Sequence, residues 1–148
     1  MSILEKLVKK SLIIHHLSLT TNKTMYEKYM IVPEKAKKTE NGFEMVARLP
    51  YYRGVSLSMV EEIEVSVDGE TLPQEDILIT VNGKTFDQQQ RENELDERWE
   101  MVDDAILTVK KLGGFASGEH TVGLKMILRI GYLPFPALRH AVPKTIVI

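Results

Sequence analysis

Apolar positions recur at every second residue through much of the middle of the chain. Phe43, Met45, Ala47 and Leu49 share one parity. Ile63, Val65 and Val67 alternate with Glu62, Glu64, Ser66 and Asp68, and Ile77, Ile79 and Val81 repeat the pattern. A period of two predicts strands buried on one face. Asp68-Gly69 and Asn82-Gly83 follow two of these runs. Both residue pairs tolerate positive φ, so each predicts a hairpin turn, with Thr85–Phe86 starting the second return strand. Ala105–Lys111 reads as a further strand, and Gly113-Gly114 with Ser117-Gly118 brackets a loop. Glu119–Tyr132 is the longest predicted strand. Its even positions, including Val122, Leu124, Met126, Leu128 and Ile130, are expected in the core. Thr121, Lys125 and Arg129 lie on the other face.

The remaining segments fit less regular structure. Ile3, Leu4, Leu7 and Val8 are spaced for a short amphipathic helix over residues 2–9, and Ser11–Thr20 reads as a strand. Residues 33–42 are polar, carry Pro33 and end in Asn41-Gly42, which predicts loop and turn. Residues 87–98 are polar enough for a surface loop or one exposed helical turn. The tail Leu133–Ile148, with Pro134, Pro136 and Pro143, reads as extended, Thr145–Ile148 forming an edge strand. Short strands separated by turn signals, with little helix, predict an all-β fold. The expectation is one antiparallel β-sandwich over residues 1–148, of Greek-key or immunoglobulin-like type.

A chain of 148 residues is long enough to bury a real core. Its net charge of −2 and lack of a dense basic run argue against nucleic-acid binding. Lys35, Lys37 and Lys38 are flanked by Glu34 and Glu40 and read as a solvated loop. There is no cysteine, which excludes disulfides and thiolate-ligated zinc. Lys6, Lys9 and Lys10 interrupt the apolar run a signal peptide would need, and no stretch is long enough to span a bilayer. A cytoplasmic protein without membrane or nucleic-acid partners is expected.

Candidate chemistry is sparse. His15 and His16 are adjacent, so on a strand they face opposite sides and cannot chelate one ion without a bulge. One of them could join His120 on an ion, against the plainer reading of ordinary strand histidines with hydrogen-bond partners. Glu92, Glu94, Asp96, Glu97, Glu100, Asp103 and Asp104 cluster in polar segments, but the oxygen-ligand spacing of a calcium loop is missing. No Gly-x-Ser-x-Gly or phosphate-binding glycine loop occurs. Trp99 reads as a core residue. No catalytic or metal residue is therefore assigned. The exception to a scaffold reading is the loop PYYRGVSLS, whose Tyr51, Tyr52 and Arg53 are of the types that anchor interfaces. They are the candidate partner-interface residues, with capping of the core as the alternative.

Three segments together carry a resemblance: PYYRGVSLSMVEEIEVSVDGE, RWEMVDDAILTV and LGGFASGEHTVGLKMILRIGYLP. From about residue 12 to residue 133 the chain resembles the small β subunit of bacterial C-glycoside deglycosidases. The resemblance implies a sandwich subunit packed on a larger (β/α)₈-barrel α subunit, in a higher αβ oligomer. The α subunit would carry a divalent metal of the Mn or Mg type and the acid/base residues. The substrate implied is a 3-oxo-C-glycoside of a plant polyphenol, cleaved at its carbon–carbon bond by elimination. Such chemistry is coherent: a 3-keto group acidifies the C2 proton, a metal stabilises the enediolate, and a general acid protonates the departing carbon. No catalytic residue of the family is carried onto this chain. The competing expectation is a free-standing sandwich module that binds carbohydrate or protein.

Overall fold

The structure, a computed structural model, describes residues 25–148. The predicted helix over residues 2–9 and the strand over Ser11–Thr20, with His15 and His16, lie outside the described residues. After a short helix α1 (Met25–Lys28), the strands are β1 (Ile31–Thr39), β2 (Gly42–Ala47), β3 (Val55–Ser56), β4 (Val60–Val67), β5 (Glu70–Thr71), β6 (Ile77–Val81) and β7 (Lys84–Phe86). Helix α2 (Gln88–Glu92) then leads to β8 (Arg98–Trp99), β9 (Ala105–Lys110), β10 (Glu119–Leu128), β11 (Ala137–His140) and β12 (Lys144–Val147).

These strands make an antiparallel sandwich. One sheet has the order β1-β2-β9-β6-β7. The other has the order β11-β10-β4-β5, with β12 following β11 along the same edge of β10. A two-stranded ribbon of β3 and β8 sits beside them. The period of two fixes which side chains meet. Met45, Leu107 and Ile79 form one rung across the first sheet, and Phe43, Val109 and Ile77 the next. In the second sheet Val67 faces Val122, Val65 faces Leu124 and Ile63 faces Met126. All of these are buried and belong to one core cluster. As expected, Val122, Leu124, Met126, Leu128 and Ile130 are buried, although β10 ends at Leu128 rather than Tyr132.

Both hairpin turns form as the sequence implied. Asp68 and Gly69 have φ of 51° and 86°, and Asn82 and Gly83 have 53° and 79°. Positive φ at both central residues is the turn whose twist matches the strands it joins. Trp99 is fully buried, as read, and its indole N–H donates to the Asp103 carbonyl at 3.0 Å.

Three expectations need correction. Residues 33–42 are not a loop: β1 runs to Thr39 and pairs with β2. Its register shifts between Val32 and Lys37, so Pro33 sits in an irregularity of an edge strand, where a missing N–H costs no ladder bond. Lys35, Lys37 and Lys38 lie on that exposed strand. Residues 87–98 do contain one helical turn, closed by a capping box between Asp87 and Gln90, but it is not wholly exposed. Arg91 is 1% exposed and donates to the Val60 and Glu61 carbonyls, tying α2 to β4. Burial pushes the pKa of its guanidinium down. Finally, the tail supplies β11 as well as the expected edge strand near Thr145–Ile148. No helix among the described residues is long and apolar enough to cross a membrane.

Candidate partner interface

The segment Leu49–Gly54 leaves β2 and turns across one end of the sandwich before β3 begins. Its neighbouring side chains have opposite fates. Tyr51 is buried in the core cluster, so for this residue the capping reading describes the structure. Tyr52 is 52% exposed, with its ring centroid 4.7 Å from that of Tyr51. Arg53 is exposed and lays its guanidinium 5.5 Å from the centre of the Tyr52 ring. Among the described residues the ring contact is what holds Arg53, and its fan of donors faces other groups.

Distant segments complete this end of the molecule. The hydroxyls of Tyr52 and Tyr132 lie 3.0 Å apart. Tyr132 is 58% exposed. Arg98 donates to the Gly54 carbonyl at 2.6 Å and meets Glu100 at 3.3 Å. Arg129 donates to Glu61 at 2.6 Å. Between the segments lies a hollow of about 190 Å³, floored by Tyr51, Val55, Met59 and Ile130 and rimmed by arginines. Of the three residues expected at an interface, two are thus presented to solvent and one anchors the loop. The sequence reading missed Arg98, Arg129 and Tyr132. No local pattern marks them, because only the fold brings them to residues 51–53.

Elsewhere the polar groups are engaged in holding the fold. Asp104 meets Lys35 at 2.6 Å and Arg48 at 2.9 Å, and these cations hold its carboxyl below its usual pKa. Glu97 accepts from Asn82 at 2.8 Å and pairs with Lys84 at 3.0 Å, which lowers its pKa in the same way. His120 places Nδ1 2.6 Å from Asp68 and Nε2 2.6 Å from the Ala116 carbonyl. A ring that satisfies both acceptors donates from both nitrogens, so this geometry favours the charged imidazolium. Its pKa is raised accordingly, first by the Ala116 carbonyl and then by Asp68. Among the described residues, no group of three or more His, Asp or Glu side chains converges as a metal site. A second hollow, of about 230 Å³ between Tyr26, Tyr29, Leu49, Met101 and Val102, is mostly apolar, and the Arg48 beside it is paired with Asp104.

The sequence model of a family described as C-glycoside deglycosidase beta subunit matches residues 22–132. This chain belongs to that family. The matched span takes in residues 51–53, Arg98, Arg129 and Tyr132. Among curated relatives, a C-glycoside deglycosidase beta subunit from Eubacterium cellulosolvens is 33% identical over 93 residues, 63% of this chain and 63% of that protein. A 3'-dehydrocarminate deglycosidase beta subunit from a Microbacterium species is 32% identical over 110 residues, 74% of this chain and 83% of that protein. A C-glycoside deglycosidase beta subunit from Microbacterium trichothecenolyticum is 34% identical over 86 residues, 58% of this chain and 65% of that protein. The chain therefore aligns with just under two thirds of the Eubacterium and M. trichothecenolyticum relatives. Family membership and the sandwich agree with what the three sequence segments implied.

Proposed function

We propose that this chain is the accessory β subunit of a cytoplasmic, heteromeric C-glycoside deglycosidase. In this reading the complex is a carbon–carbon lyase that cleaves 3-oxo-C-glycosides of plant polyphenols by elimination. Its partner is a (β/α)₈-barrel α subunit holding a divalent metal of the Mn or Mg type and the acid/base residues, and αβ units assemble further. The observation that carries the reading is the family match over residues 22–132. The described residues do not fit a divalent cation, since no three-donor set converges among them, so no step of the reaction is assigned to a metal on this chain.

What the chain contributes is position. Tyr52 and Arg53 dock at the mouth of the barrel, where barrel enzymes keep their active sites, and Tyr51 holds their loop against the core. A docked wall that shapes the mouth acts on rate through substrate orientation, to which catalysis is sensitive over about 1 Å. The test is co-expression with a barrel α subunit of this enzyme family, size-exclusion of the pair, and assay on a 3-oxo-C-glycoside. A stable complex is expected, active when both subunits are present, while this chain alone is inactive and holds no stoichiometric metal by elemental analysis. Full activity from the isolated chain, or failure of the two proteins to associate, would overturn it.

A further inference from the structure

The hollow beside Tyr51 is lined by Arg53, Arg98 and Arg129, with no Asp or Glu among its lining residues, on a chain whose net charge is −2. Two of these guanidiniums already have carboxylate partners: Glu61 pairs with Arg129, and Glu100 with the Gly54 carbonyl holds Arg98. The third, Arg53, rests on the Tyr52 ring. The floor is apolar, and the rim continues into the exposed rings of Tyr52 and Tyr132. A cavity of about 190 Å³ is smaller than the roughly 300–1,000 Å³ of a site for a drug-sized ligand. It has the scale of a side chain. Aromatic and arginine residues around such a pocket make up the anchor region of protein interfaces.

We infer that this hollow is a socket for the α subunit, taking an apolar side chain on its floor and a neighbouring Asp or Glu carboxylate on Arg53. This rests on the proposed pairing with an α subunit and adds the chemistry of the contact. Arg53, whose guanidinium has no carboxylate partner among the described residues, selects the partner's charge. Its rest on the Tyr52 ring restrains it, so less side-chain freedom is lost on docking.

The experiment uses the full chain and its co-purified α subunit. The Arg53→Ala variant is expected to weaken association by about 10- to 100-fold, and Arg53→Glu by more. Raising salt from about 50 to 500 mM should weaken the wild-type complex and narrow this difference. Arg53 bonds to nothing the fold needs beyond the Tyr52 ring, so the melting temperature of the isolated variants should stay at the wild-type value. A second measurement does not depend on lost binding. In an Arg53→Lys variant, a zero-length carbodiimide joins the new amine only to a carboxylate in contact with it. Peptide mapping should find position 53 joined to an acidic residue of the α subunit. If the complex forms but position 53 yields no such cross-link and Arg53→Glu binds normally, the socket is wrong while the subunit reading stands. Unchanged association with a raised KM for the glycoside would assign the hollow to substrate and also overturn it. No association of the wild-type chains would remove the subunit reading itself.

Discussion

Replacing Leu124 by alanine tests the core assignment of β10 directly. Leu124 is 3% exposed, opposite Val65 on β4. The substitution removes three carbons from an environment closed on both sides. At about 0.8 kcal/mol per buried carbon, the transfer loss alone is about 2.4 kcal/mol. The space left behind adds to this, giving about 2–5 kcal/mol in all. Lys125, one residue on, faces the other way and pairs with Glu62 at 3.1 Å and Glu64 at 3.3 Å. These are solvent-side ion pairs, and Lys125→Ala should cost under about 1 kcal/mol. For a domain of this size, each kcal/mol moves the melting temperature by about 3 °C. Leu124→Ala should therefore melt roughly 6–15 °C below wild type, and Lys125→Ala within a few degrees of it. Urea titration of both variants, with slopes checked for equality, gives the free energies. Equal costs at the two positions, or a cost under about 1 kcal/mol at Leu124, would refute the half-buried reading of this strand.

Two further outcomes follow from close contacts. A Cβ at Gly42 would stand 1.8 Å from the Val109 carbonyl oxygen, a backbone atom that cannot swing aside, so Gly42→Ala should part β2 from β9. The expected result is loss of the cooperative near-UV signal or a fall in stability of more than about 2 kcal/mol, and wild-type melting would count against the strand pairing. The His120–Asp68 clasp should give stability a pH window. The raised His120 pKa makes its contribution full below the free value of 6.5 and lost as pH rises through the folded value. The lowered Asp68 pKa, caused first by His120 and then by the Thr121 N–H, makes its contribution present above 3.8 and lost as pH falls through the folded value. The stability gap between wild type and His120→Gln should be larger near about pH 5.5 than near about pH 9, and a constant gap would show that the ring is not charged in the fold.

The strands that could be read from sequence are those with one wet face and one dry face. In β6, β10 and β4 from Ile63 onward a single parity carries the burial, so alternation shows it. β1 escaped because it is an edge: its lysines suit both a loop and an exposed strand, and Pro33 reads as a breaker unless the bulge is known. Arg91 escaped because composition marks arginine as surface, whereas here two strand carbonyls take its donors. β11 is short and alternates only weakly, and its pairing with β10 decides it. At the candidate interface, Tyr51, Tyr52 and Arg53 stood out as a local run of anchor residues. Their partners did not, because Tyr52 and Tyr132 are separated by 80 positions and meet only once the sheets are stacked. Sequence could not separate Tyr51 from Tyr52 either, since a buried and an exposed tyrosine are spelled alike.

The succession of β11 and β12 along one side of β10 has a bearing on synthesis. While β4 is available as soon as it is made, the opposite side of β10 has its hydrogen-bonding partners only in residues 137–147. A ribosome that has released β10 but not these residues exposes a ten-residue strand with one row of donors and acceptors unmatched. β12 also lies against β1, so the same residues join early and late parts of the chain. The sandwich thus closes late, through contacts distant in sequence, and the nascent chain passes through a stage prone to pair with a neighbour of its own kind.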